Sequence, residues 1–126
     1  MSLNNKKGIL IYGFNEDEKI KINDILNDQK LSTCRVIESN MAKTPLRSII
    51  DGLKFEVCDG ALPNEKVVLF NNLDDKELEN MIKAIREAFG GAPIFAVITE
   101  QSINWTFEKL IFHLVEEREW FKKQKR

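Results

Sequence analysis

The chain is poor in the residue types that advertise chemistry. Its 126 residues include one histidine and two cysteines. Cys34 and Cys58 form no Cys-x-x-Cys pair and share no metal-ligand spacing with His113, which argues against structural zinc and against thioredoxin chemistry. Two unpaired thiols suit a reducing compartment, so a cytoplasmic location is expected. No apolar run approaches the length of a membrane span, and the run Gly8 to Phe14 is too short for a signal core. The formal net charge is -1, so no global field draws a polyanion. The single basic cluster, Lys122-Lys123-Gln124-Lys125-Arg126, leaves nucleic acid disfavoured as a partner. A P-loop and a GxGxxG pattern are both missing.

What is present is the pattern of a folded domain. Hydrophobic residues make up 43% and charged residues 31%, ordinary proportions for a globular protein. The length suits one domain spanning 1–126. Its order of apolar runs, caps and breakers occurs twice, over residues 8–53 and 66–121, with residues 54–65 as the linker. Gly13-Phe14-Asn15-Glu16-Asp17-Glu18 aligns with Asn72-Leu73-Asp74-Asp75-Lys76-Glu77. At an offset two residues larger, Thr44-Pro45-Leu46 aligns with Trp105-Thr106-Phe107. Such self-similarity bears on architecture before any single element does.

Gly8 to Tyr12 and Lys66 to Phe70 are continuous apolar runs, the mark of strands covered on both faces. Each leads into a helix with a capping box, Asn15 with Glu18 and Asp74 with Glu77. Leu78, Met81, Ile82, Ile85 and Phe89 give the helix over 75–89 one apolar face, and Gly90-Gly91 ends it. Thr33 to Ile37 alternates and reads as a less covered strand; Ile94 to Thr99 is its counterpart. Thr44 is placed as a cap with Pro45 at the first helical position. Thr106 caps the last helix, with Trp105 stapled to Leu110, and that helix presents Phe107, Leu110, Ile111, Leu114 and Phe121 as its packing stripe. The fold class expected is α/β, two tandem β-α-β-α repeats forming one mainly parallel four-stranded sheet with helices on both faces and strand order 2-1-3-4. The alternative is a pseudo-twofold mixed sheet, in which the halves meet with some strands antiparallel.

In a parallel sheet of this kind ligands bind beyond the strand carboxyl ends. A polar crevice is therefore expected from Asn15, Ser39, Asn40, Asn71, Asn72, Thr99 and Ser102, suited to sensing a small ligand or a divalent metal. Glu16, Asp17, Asp74 and Asp75 could offer oxygen ligands there, but acidic residues in a first helical turn are the usual complement to the helix dipole. No metal or cofactor is assigned. No Ser, Cys and His set supports a nucleophile, so no catalytic residue is assigned either. His113 falls on the outer side of its helix as a solvated side chain, and Cys34 reads as inert filling in a strand. Trp120 lies near His113 by helical angle and away from the buried stripe, which makes these two the expected interaction residues. The functional expectation is a non-catalytic binding or protein-interaction module, its partner a second copy or another protein.

Val68-Leu69-Phe70-Asn71-Asn72-Leu73-Asp74-Asp75-Lys76-Glu77-Leu78, Ala96-Val97-Ile98-Thr99 and Asn104-Trp105-Thr106-Phe107-Glu108-Lys109-Leu110 together resemble a bacterial family catalogued as domain of unknown function 3783. The resemblance covers residues 66 to about 117, the second copy, and Asn104, Trp105 and Thr106 are its most specific part. Asn72-Leu73 stands where the family more often has Gly-Phe, the pair found in the first copy as Gly13-Phe14. The resemblance implies a compact α/β fold and no catalytic residue.

Overall fold

Ile9 to Ile11 and Val67 to Phe70 are apolar at every position and buried at every position, because helices cover the sheet on both sides. The computed structural model describes residues 7–30, 34–38, 44–50 and 62–124. Within them the chain runs β1 (Gly8–Tyr12), α1 (Glu16–Asp28), β2 (Cys34–Ile37), α2 (Leu46–Ile50), β3 (Val67–Asn71), α3 (Asp75–Phe89), β4 (Ile94–Val97), a 3-10 turn (Ser102–Asn104) and α4 (Phe107–Gln124). The sheet order is β2-β1-β3-β4, with the two continuous apolar strands in the middle.

The central pair corrects the mainly parallel sheet. β1 pairs in parallel with β2, and β3 with β4, but β1 and β3 are antiparallel. Tyr12 at the end of β1 therefore faces Val67 at the start of β3, and Gly8 faces Asn71. The ladder is symmetric about its centre: Leu10 faces Leu69, each the third residue of a 5-residue strand.

Alternation then sends side chains to two cores. Leu10, Ile37, Val67 and Leu69 meet Leu46, Ile49, Ile103, Phe107, Leu110 and Ile111 on the side of α2 and α4. Ile9, Ile11, Val68 and Phe70 meet Ile22, Leu26, Met81 and Ile85 on the side of α1 and α3. Both capping boxes form, with Asn15 accepting from Glu18 N and Asp74 from Glu77 N. α3 ends at Gly90, whose φ is 69°. Two helix expectations need correction. Pro45 occupies the cap position itself, its carbonyl accepting from Ser48 N and Ile49 N, and Thr44 lies one residue before that cap. Phe121, placed in the packing stripe by its spacing, is 57% exposed, since α4 runs on past the body it packs against.

Two further contacts join the halves reciprocally. Lys7, just before β1, pairs with Glu77 at 2.9 Å, and Lys66, just before β3, pairs with Glu18. Each lysine therefore holds the capping-box glutamate of the other half. At the starts of the second helices, Leu46 N donates to Trp105 O at 2.9 Å and Phe107 N to Thr44 O at 3.2 Å, flanking a bridge between Pro45 and Thr106.

The turns leaving β1 and β3 share a left-handed residue, Gly13 at φ 88° and Asn72 at φ 61°. A Cβ on Gly13 would lie 2.0 Å from the backbone oxygen of Glu65, so glycine is required there for space as well as for conformation. Asparagine tolerates this region, which accounts for its standing at the matching turn. Gly13→Ala should lower unfolding free energy by about 2 kcal/mol or more, whereas Asn72→Gly should stay within about 1 kcal/mol of wild type, both read by urea denaturation.

Candidate functional site

The antiparallel centre separates the residues expected to form one crevice. Asn15 follows β1 and caps α1 beside Glu65 and Lys66, at one end of the sheet. Asn71 is buried opposite Gly8 at the other end, followed by Asn72. Because β4 is parallel to β3, Thr99 and Ser102 belong to the Asn71 end. Ser39 and Asn40 lie outside the described residues. Thr99 and Ser102 bond to each other: Thr99 N donates to Ser102 Oγ at 3.0 Å and Ser102 N to Thr99 Oγ1 at 3.1 Å, a local turn that starts the 3-10 segment. Glu16 and Asp17 are likewise at the opposite end from Asp74 and Asp75. No group of three or more potential metal ligands occurs among the described residues.

Cys34 is half-buried on β2, and burial pushes its thiol up to about 11. It is therefore protonated at neutral pH and a poor nucleophile. Cys58 lies outside the described residues. Cys34 should react with iodoacetamide far more slowly at pH 7.5 than in urea-unfolded protein, as followed by mass spectrometry; equal rates would contradict its burial.

The last helix gathers the remaining features. Asn104 Oδ1 accepts from Arg47 Nε at 3.2 Å, Trp105 joins α2 through its carbonyl, and Thr106 Oγ1 accepts from Lys109 N at 3.2 Å. These three residues thus seat α4 against α2. Trp105 packs partly buried against the cluster that holds Leu110. Lys109 Nζ sits 4.5 Å from its ring centroid and His113 meets the ring edge-on at 5.6 Å. His113 is thus half-exposed but not simply solvated, and its ring partner is Trp105 rather than Trp120. Its Nε2 is 3.6 Å from Glu117.

Beyond Leu114, Arg118 clamps the helix. Its guanidinium binds both carboxylate oxygens of Glu65 at 2.7 Å, just before β3. That pairing holds the Glu65 carboxyl below the usual carboxylate range. Glu18 is lowered in the same way, by Lys66 first and then by the Asn15 amide. One turn farther along, Trp120 and Phe121 are each 57% exposed and meet edge-to-face at 5.1 Å, with exposed Lys122 and Lys123 after them. Spacing alone could not reveal the clamp or the exposure of Phe121, because both depend on where α4 leaves the body.

A carboxylate with a depressed folded-state pKa contributes stability above its unfolded value, and that contribution drains as pH falls through the folded value. Stability should therefore hold to about pH 4.5 and decline below it. Arg118→Met should cost about 1 to 2 kcal/mol at pH 7 and flatten the acid limb of the stability curve in urea titrations between pH 7 and pH 3.

Residues 66–121 match the family model described as "Domain of unknown function (DUF3783)". The match takes in β3, α3, β4 and most of α4, including Asn104, Trp105 and Thr106, so this part of the chain carries that domain. No curated protein and no solved structure matches the chain. No helix among the described residues is long and apolar enough to cross a membrane.

Proposed function

We propose that this protein is a non-catalytic protein-interaction module, one domain built from two diverged copies of a β-α-β-α unit, whose contact surface is the free end of α4. The duplication is supported by the reciprocal pairs Lys7 with Glu77 and Lys66 with Glu18, and by the Leu10–Leu69 and Pro45–Thr106 contacts, in which matching positions of the two halves meet. The observation that carries the functional reading is the exposure of Phe121. It continues the stripe of Leu110 and Leu114, yet it stands in water beside Trp120 because α4 overhangs the body. Exposed aromatic pairs suit the centre of a protein contact, where they supply area at little entropic cost. Lys122 and Lys123 border the pair, so the fitting partner is a protein with an apolar cleft and an acidic rim. The sensing reading has less support, since its residues no longer converge.

A photo-crosslinking amino acid in place of Phe121 should give a discrete adduct in cells, and the same residue in place of Ile20, which is 60% exposed on α1, should not. The double variant Trp120→Ala, Phe121→Ala should keep stability within about 1 kcal/mol of wild type, because no core is emptied. Adducts no stronger at Phe121 than at Ile20, or a loss of about 3 kcal/mol or more, as for a core aromatic, would discard this reading.

A further inference from the structure

Among the described residues the two edges of the sheet, β2 and β4, are unequally protected. β2 carries Arg35, whose Nε donates to Ile50 O at 3.0 Å, so its edge holds a charge. The residue matching Arg35 on the other edge is Ala96: Arg35 stands against Leu10, and Ala96 against Leu69. β4 reads Ile-Phe-Ala-Val, with no charge or proline, and Val97 is 50% exposed. Natural edges of this kind are normally blunted or covered. Ile94 N donates inward to Lys66 O and Ile98 N to Phe70 O. By alternation, Phe95 and Val97 turn their N–H and C=O groups outward.

The flank of α3 beside this edge forms a shallow groove lined by Glu79, Ile82, Lys83, Arg86 and Glu87. Arg86 ties it to the strand, its guanidinium lying 5.4 Å from the Phe95 ring centroid. We infer that the β4 edge and this flank of α3 form a homodimer interface, in which two copies pair β4 with β4 antiparallel about a dyad at Ala96. Phe95 of each copy would then exchange both backbone hydrogen bonds with Val97 of the other. The small Ala96 side chains would meet on the axis, where a non-hydrogen-bonded pair brings Cα atoms to about 4.5 Å.

Geometry and charge both favour a second copy as the occupant. α3 connects β3 to β4 and packs above them, so its axis lies about one strand spacing from the dyad. Two such helices stand about 10 Å apart, the separation at which helices pack. The flank carries two carboxylates and two cations. A dyad near Lys83 brings Glu79 and Glu87 of one copy within reach of Arg86 and Lys83 of the other, with Ile82 between them. A flank with no net charge suits itself better than it suits a strongly charged peptide.

Sedimentation equilibrium of the full chain should show a monomer–dimer equilibrium. Val97→Lys, at an already exposed position, should raise the dissociation constant about a hundredfold by setting like charges across the dyad. Lys83→Glu should weaken the dimer, and adding Glu87→Lys should restore it. Amides of Phe95 and Val97 should gain hydrogen-exchange protection as concentration rises. A wild-type monomer at all concentrations, or a dimer indifferent to Val97→Lys, would overturn the inference. So would a dimer lost on Trp120→Ala and Phe121→Ala, which would place self-association on α4 instead.

Discussion

The antiparallel pairing of β1 with β3 is the constraint on which the rest of the structure depends. With Leu10 facing Leu69 at its centre, the ladder sets the end of each half beside the beginning of the other. That is why Lys66 reaches Glu18 and Lys7 reaches Glu77. It is also why Gly13 is pressed against the Glu65 backbone. In a parallel pairing each lysine would sit at the opposite end of the sheet from the glutamate it binds. The capping glutamates therefore act twice, closing a helix start within one half and accepting a lysine from the other. Neither ion pair is deeply buried, and each alone contributes modestly. Their role is to agree with the ladder.

A second contact secures the same relation on the α2 and α4 side of the sheet. Thr44, Pro45 and Leu46 face Trp105, Thr106 and Phe107 through two backbone hydrogen bonds and one bridge. Leu46 and Phe107 are fully buried on the helical side of this junction, so the bonds are formed where water cannot compete. The motif Asn104-Trp105-Thr106 thus has a structural account. Asn104 holds Arg47 of α2, Trp105 accepts from Leu46, and Thr106 caps the helix that begins at the contact. All three residues are used by the fold at this helix junction.

Much of this was legible in the residues, and the remainder was non-local. Continuous apolarity marked β1 and β3 as central, and Asn15 with Glu18 and Asp74 with Glu77 marked two helix starts. Strand direction left no such trace: Leu10 and Leu69 are buried in either orientation, and the lysines are merely basic residues ahead of apolar runs. The direction shows only in the β1–β3 ladder, which pairs residues far apart in the chain. Nor did spacing reveal that Asn15 and the Asn71 group, expected in one crevice, lie at opposite ends of the sheet. Phe121 shows a different limit. Its spacing from Leu114 is that of a buried residue, but burial also requires a surface opposite, and periodicity cannot say how far a sheet extends. The stack of Lys109 and His113 on Trp105 was within reach, because residues four apart share a helix face.

An antiparallel centre also redistributes where such a fold can act. Doubly wound parallel sheets concentrate their loops at one end, where strand order reverses and helix starts converge. Here one helix start sits at each end beside the central pair, and both carry first-turn carboxylates, which repel the anions that free helix N-termini attract. With Lys66 and Lys7 already closing those helix starts, the ends of the sheet are largely committed to holding the two halves together. The chemistry left unspent lies at the margins: the uncharged edge of β4 with its flank of α3, and the aromatic end of α4 beyond the Arg118–Glu65 clamp. Those two surfaces belong to different layers and do not compete. A second copy on the β4 edge would leave Trp120 and Phe121 free to engage another protein, so that dimerisation would present two such ends from one assembly and convert a weak single contact into a bivalent one.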